Sequence, residues 1–98
     1  MPKAETAAQA EVLTDIPNIG VSIAQDLRSL GINTPLDVAG MDPLAQFEAL
    51  RTLMGHRHDP CVLDTFMAAK KFMNGGPRQP WWEFTAERRA LLSKHDRK

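Results

Sequence analysis

Apolar residues recur along this chain at helical spacing, and short segments rich in proline and glycine separate the periodic stretches. No segment shows the alternation of every second residue that marks a half-buried strand. The pattern predicts a weak helix over residues 5–14, helices over 21–30, 43–54, 60–73 and 85–95, and a single helical turn at 35–39. These elements predict an all-α fold, a small bundle of four to five helices.

The ends of the predicted helices carry capping residues. Asp42-Pro43 and Asp59-Pro60 each place a capping side chain before a proline at the first helical position, where the missing N–H costs nothing. The inward faces are predicted to consist of Ile23, Ala24, Leu27, Leu30, Phe47, Leu50, Met54, Val62, Phe66, Ala69 and Met73. Asp64, Lys70 and Lys71 fall on the opposite, outer face of the 60–73 helix.

A loop rich in glycine and proline, residues 74–80, precedes two adjacent tryptophans and is predicted to be non-helical. Trp81 and Trp82 lie beside basic residues, so they are candidates for a partner surface or for stacking on exposed bases. We expect at least one indole to pack against the 43–54 and 60–73 helices, because a small domain gains from burying a large apolar side chain.

The segment from Ile16 to Ala24 has the composition of a tight reversal between two helices. Asn18 tolerates positive φ well, and Gly20 permits a close approach by an outside group and a backbone conformation barred to bulkier residues. Because a helix begins at Val21, the unpaired N–H groups of residues 20–22 are expected to converge at its positive end. This arrangement predicts an anion site, and the alternative is a hairpin that merely reverses the chain.

The same segment resembles the helix-hairpin-helix DNA-binding family, whose common form reads Pro-Gly-hydrophobic-Gly-x-x-x-Ala, followed by a helix that often ends in Gly-Ile. The chain follows this form from Pro17 to Ala24 and again at Gly31-Ile32. It departs from it where Asn18 replaces the first glycine and where Ser22 replaces a lysine or arginine. The resemblance implies contact with DNA phosphates without sequence specificity. The residues expected to make it are Asn18, Ile19, Gly20, Val21 and Ser22.

Three separate motifs extend the resemblance. The sequences I-P-N-I-G at 16–20, R-H-D-P-C-V-L-D at 57–64 and P-W-W-x-x-T at 80–85 are similar in order and spacing to one family of small bacterial proteins. That family is labelled as pathogenicity-locus or mitomycin-resistance helix-hairpin-helix proteins. The similarity covers about residues 12–90, and it implies the fold, a connection to DNA and a link to DNA damage or drug resistance.

Charge is unevenly distributed, although 12 basic residues balance 12 acidic ones. Residues 1–69 hold four Lys or Arg against nine acids, a net of −5, whereas residues 70–98 hold eight against three, a net of +5. The basic third predicts phosphate contacts that assist the hairpin, and a solvated tail is the alternative. The candidates are Lys70, Lys71, Arg88 and Arg89. The balanced total favours a rival interpretation, a protein-interaction or scaffold module without direct DNA binding.

One cluster, residues 56–61, carries side chains suited to metal binding or nucleophilic chemistry. His56 and His58 flank an arginine, and no C-x-x-C or H-x-x-x-H pair is present, so no metal or cofactor is predicted. Cys61 near a helix start is expected to have a lowered pKa, but a buried thiol that packs beside a capping Asp59 is the favoured interpretation. We therefore expect a binding protein without catalytic residues rather than an enzyme.

A chain of 98 residues fits one domain. Its predicted parts are a helix-hairpin-helix over 6–32, accessory helices over 35–73, and a tryptophan-containing loop with a basic helix over 74–98. No apolar run approaches the roughly 18 residues that cross a membrane, and the first ten residues lack the apolar core of a secretory signal. A lone cysteine excludes an internal disulfide. We expect a cytoplasmic protein whose partner is DNA or another protein.

Overall fold

A computed structural model describes residues 3–55 and 59–96, and within these ranges the chain is helical and contains no strand. The described residues form five α-helices: α1 (Val21–Ser29), α2 (Pro35–Gly40), α3 (Pro43–Met54), α4 (Cys61–Met73) and α5 (Thr85–Asp96). Three short 3-10 turns cover Ala7–Gln9, Leu13–Asp15 and Trp81–Phe84. The predicted all-α fold is therefore confirmed.

The prediction of a helix over residues 5–14 is wrong. The segment instead forms two 3-10 turns, Ala7–Gln9 and Leu13–Asp15. Asp15 Oδ2 accepts hydrogen bonds from the N–H groups of Glu11 (2.9 Å) and Val12 (3.1 Å), which takes both donors away from helical pairing. The same two bonds hold the pKa of Asp15 below its ordinary value. The Ala4 N–H closes the segment by donating to the Asp15 carbonyl at 2.8 Å.

The helices predicted over 21–30, 43–54 and 60–73 agree with α1, α3 and α4 to within a residue, and the turn predicted at 35–39 is the short helix α2. Asp42 caps α3 as predicted, since its Oδ1 accepts from the N–H groups of Leu44 (3.1 Å) and Ala45 (3.3 Å). Met54 was predicted to face inward, but it is 41% exposed. It is the last residue of α3, where Gly55 turns the chain away with a φ of 80°.

Helix α4 is the centre of the bundle. Every residue from Leu63 to Ala69 is buried, so the helix is covered on all sides rather than along one face. Its neighbours are α2, α3, α5 and the 81–84 turn. The aromatic core of the molecule lies along it, with Phe47, Phe66 and Phe72 almost completely removed from solvent.

Asp64 was predicted on the outer face of this helix, and the structure corrects that placement: the residue is fully buried. Its carboxylate accepts from Thr85 Oγ1 at 2.7 Å and from Arg88 Nε at 2.7 Å. The Arg88 side chain is itself only 15% exposed. A buried carboxylate is tolerated because both a cation and a hydroxyl reach it, and both come from α5.

The segment after α4 returns to the bundle. Residues 74–80 are non-helical, as predicted, and the 81–84 turn then packs against α4. The expectation that a tryptophan anchors this segment is met only in part, since Trp81 is half-buried and Trp82 is 61% exposed. Phe84 is the buried anchor at 7% exposure, and Lys71 Nζ lies 5.6 Å from the centre of its ring.

Asp59 caps the start of α4 as predicted, because its Oδ1 accepts from the Cys61 N–H at 3.0 Å. The thiol of Cys61 is partly exposed rather than buried. The prediction of a lowered pKa is wrong. A hydrogen bond to the Asp59 carboxylate raises the pKa of the Cys61 thiol, and desolvation and the negative charges of Asp59 and Asp64 raise it further. Together these effects outweigh the hydrogen bond from the backbone, which lowers the pKa of the thiol.

Replacing Arg88 with alanine leaves the Asp64 carboxylate buried without its counter-ion. We expect the free energy of unfolding, measured by urea denaturation, to fall by about 3–5 kcal/mol. The matched control is Arg51→Ala, which removes an exposed ion pair to Glu48 at 3.5 Å and is expected to cost less than about 1 kcal/mol. Similar small losses for both variants would show that the buried pair does not hold α5 in place.

The raised pKa of Cys61 makes the thiolate scarce at neutral pH, so we expect the thiol to react slowly with a disulfide reagent and to accelerate as the pH rises. Asp59→Asn keeps a capping oxygen but removes the negative charge, and we expect faster labelling at pH 7. The measurement is the labelling rate against pH, with the urea-unfolded chain as reference. A native thiol that reacts faster than the unfolded one contradicts this account.

Candidate functional site: the 17–20 loop and the start of α1

The loop over residues 17–20 joins the Leu13–Asp15 turn to α1. Asn18 adopts the left-handed conformation with a φ of 74°, as its residue type predicts. Ile16 and Ile19 on either side have no solvent exposure, and the Ile19 N–H donates to the Ile16 carbonyl at 3.1 Å. Two buried isoleucines therefore anchor the loop to the core, while Asn18 is half-buried and Gly20 is exposed.

The start of α1 presents free amide donors. The first hydrogen bond of the helix runs from the Ala24 N–H to the Gly20 carbonyl at 2.9 Å. Among the described residues, no acceptor meets the N–H groups of Gly20, Val21, Ser22 and Ile23. These amides lie at the positive end of a nine-residue helix, and Gly20, Val21 and Ser22 are exposed. The structure thus provides the donors predicted for residues 20–22 and adds Ile23.

The role assigned to Gly20 needs one correction. Its φ of −91° and ψ of −176° are ordinary extended backbone, so no strained conformation demands a glycine here. A Cβ at this position would meet nothing within 4 Å. The space beside Gly20 is open, and the close approach by an outside group stays a prediction.

The N-terminal segment crosses this loop and brings a cation to it. Lys3 Nζ donates hydrogen bonds to the carbonyl oxygens of Thr14 and Ile19. Desolvation lowers the pKa of Lys3, and the attraction of Asp15 opposes that shift. The ammonium group therefore sits beside the carbonyl that immediately precedes the free amides.

The loop over 74–80 also reaches the site. Asn18 Nδ2 donates to the Gln79 carbonyl at 2.7 Å, across 61 positions of sequence. A depression of about 400 Å³ lies at this junction, and Lys3, Pro17, Asn18, Arg78, Gln79 and Pro80 line it. Arg78 is exposed and forms no ion pair with any residue the structure describes. The junction therefore combines two cations with a neighbouring row of amide donors.

Not every predicted site residue takes part. The Ile19 amide is used within the loop, so Ile19 contributes packing rather than a phosphate contact. Arg88 is committed to Asp64 and is not a free cation. Lys70 and Lys71 lie on α4 beside a separate groove of about 600 Å³ that none of the 17–20 residues lines. Arg89 is exposed on α5.

Two residues at the site were missed from the sequence. Lys3 lies in a segment with no periodic pattern, and nothing local links it to residues 14 and 19. Arg78 was counted in the basic third but not singled out, although its place between Pro77 and Pro80 was a usable signal. A cation in a rigid loop is held at the surface, whereas one in a helix is free to pair along the helix face.

The remaining predictions about binding chemistry concern metals and membranes. His56 and His58 lie outside the described residues. Among residues 3–55 and 59–96, no three His, Cys, Asp or Glu side chains are grouped so that they hold a metal ion. No helix in these ranges has the length and apolar character needed to span a bilayer.

Comparison with known proteins identifies the family. The model of the Cdd1 family, described as "Pathogenicity locus", matches residues 6–90. A curated relative, "Mitomycin resistance protein McrB" of Streptomyces lavendulae, is 37% identical over 94 residues, which cover 94% of this chain and 90% of the relative. No solved structure matches the chain. With its loop, its buried Asp64 centre and its tryptophan turn all inside the matched region, the chain belongs to the pathogenicity-locus family.

Proposed function

We propose that this protein binds the phosphate backbone of DNA without sequence specificity, through the 17–20 loop and the start of α1. It acts as a binding protein rather than as an enzyme. The name of the Streptomyces lavendulae relative refers to mitomycin resistance, and we propose the same link for this chain. The resemblance of residues 17–24 and 31–32 to the helix-hairpin-helix form supports the assignment.

The observation that carries the proposal is the row of free amides from Gly20 to Ile23. An anion at the start of a helix gains hydrogen bonds from such amides together with the helix dipole. Gly20 leaves room for a phosphate to approach, and Lys3 and Arg78 add positive charge on one side. These contacts need only the backbone of the DNA, which every sequence shares.

The small number of contacts limits the affinity. The chain has no net charge, so long-range attraction to DNA is weak. With about two or three phosphates neutralised, log Kd is expected to rise with log salt at a slope of about 2 to 3. Binding is therefore best measured at low ionic strength.

The experiment compares Gly20→Asp with Gly40→Asp, by fluorescence anisotropy on a short labelled duplex. Aspartate is a favoured residue at the position that precedes a helix, so Gly20→Asp is expected to keep or raise the melting temperature. Its carboxylate occupies the free amides and repels phosphate, and we expect the affinity to fall by about tenfold or more. Gly40→Asp changes the net charge equally at a site that is also open, and the affinity should stay within about twofold.

Two results would count against the proposal. Equal weakening by both substitutions would assign the binding to overall charge. Absence of any duplex binding by the native chain at low salt would favour the rival interpretation, a protein-interaction module.

A further inference from the structure

We propose that Trp82 stacks on an unpaired base, so that the protein prefers DNA with single-stranded character to intact duplex. This inference rests on the proposed function and adds to it the class of DNA that is bound. The contact adds a side chain that the backbone-binding site does not use.

The indole of Trp82 is an unusual surface feature, with 61% of the residue exposed. Large aromatic side chains gain from burial, and its neighbour Trp81 is partly buried. The two rings meet edge to face, with centroids 5.6 Å apart and planes at 84°. Trp81 thus braces Trp82 while most of the Trp82 surface stays available to a partner.

The ring is carried by a fixed part of the chain. The 81–84 turn begins after Pro80 and ends at Phe84, which is buried at 7% exposure. The next residue, Thr85, donates to the buried Asp64 carboxylate at 2.7 Å. A side chain held in this way loses little conformational entropy when it binds, which favours a contact by a single ring.

The tryptophan turn also begins beside the depression at the 17–20 loop. Pro80 lines the same depression as Asn18 and Lys3, and two residues of chain span at most about 7 Å, so the Trp82 backbone lies near that depression. The hydrogen bond from Asn18 to the Gln79 carbonyl fixes this neighbourhood. Exposed Arg78 lines the same depression. Under this proposal, a strand whose phosphates meet the amides of α1 continues towards the tryptophan turn.

An unpaired base is the group that fits the exposed Trp82 indole when the same DNA strand has its phosphates bound by the amides of α1. In duplex DNA each base is already stacked, and drawing one out carries a free-energy cost. An unpaired base offers a free face without that cost, and stacking on an aromatic side chain tolerates any base. Stacking that tolerates any base is consistent with DNA phosphate contacts that do not depend on sequence.

The test uses the full chain, a short fluorescein-labelled duplex, and the same duplex with a gap of a few nucleotides, at low salt. We expect the gapped DNA to bind about tenfold more tightly than the duplex and to quench tryptophan emission. Trp82→Ala should abolish the preference and leave the affinity for duplex unchanged, and Trp82→Phe should keep part of the preference. Leu36→Ala, which removes another exposed apolar side chain (80% exposed), is the matched control and should change neither affinity.

The outcomes separate this inference from the proposed function. Duplex binding that Gly20→Asp weakens, together with no preference for gapped DNA or a preference that survives Trp82→Ala, overturns the role of Trp82 alone and leaves the indole to a protein partner. Failure of the native chain to bind either DNA overturns the proposed function and this inference with it.

Discussion

A carboxylate with no solvent exposure is costly unless a cation and further donors reach it, and the position of α5 follows from how Asp64 meets that requirement. Asp64 lies in the middle of the central helix α4, and both of its partners, Thr85 and Arg88, come from α5. Thr85 and Arg88 follow Asp64 by 21 and 24 residues, so the Asp64 carboxylate connects the C-terminal segment to the centre of the bundle. Geometry of this kind is specific, because a shift of α5 by one turn leaves a buried charge unpaired.

The consequences reach the candidate site. Since Thr85 directly follows the 81–84 turn, the bonds to Asp64 also fix the turn and the loop before it. That loop meets the 17–20 loop through the bond from Asn18 to the Gln79 carbonyl, and Lys3 joins from the other end of the chain. Three segments distant in sequence thus meet at one depression, which Lys3, Asn18, Arg78 and Pro80 line. Under the proposed function, this local arrangement rather than the overall charge attracts an anionic strand, since the chain has no net charge.

The helical elements could be predicted from the sequence because their signals are local. Asp42-Pro43 and Asp59-Pro60 mark helix starts by capping chemistry, and the periodic spacing of Phe47, Leu50 and Phe66 identifies buried faces. The free amide donors at residues 20–22 could be predicted for the same reason, because the first N–H groups of any helix have no partner within the helix. The helix predicted over residues 5–14 is absent because the Asp15 carboxylate accepts hydrogen bonds from backbone amides of this segment. The spacing of apolar residues does not reveal that competition.

The parts that escaped prediction depend on partners far away in sequence. A charged residue on a helix predicts an exposed face. Asp64 is buried only because Arg88, which lies 24 residues later, forms an ion pair with it. The same bond removes Arg88 from the set of free cations. The direction of the Cys61 pKa shift was wrong because it depends on the hydrogen bond to Asp59, on desolvation and on the charge of Asp64, which packing determines. Lys3 and Arg78 join the site through tertiary contacts that no local pattern encodes.

The two proposals together require that the α1 amides and the tryptophan turn form one contact surface for DNA. Amide and indole chemical shifts, followed by NMR during titration with a short gapped duplex at low salt, test it most directly. We expect the amides of Gly20, Val21 and Ser22 and the indole N–H of Trp82 to shift along one saturation curve, and added salt to reverse all of these shifts together. Shifts confined to residues 85–96, with the α1 amides unmoved, would contradict it.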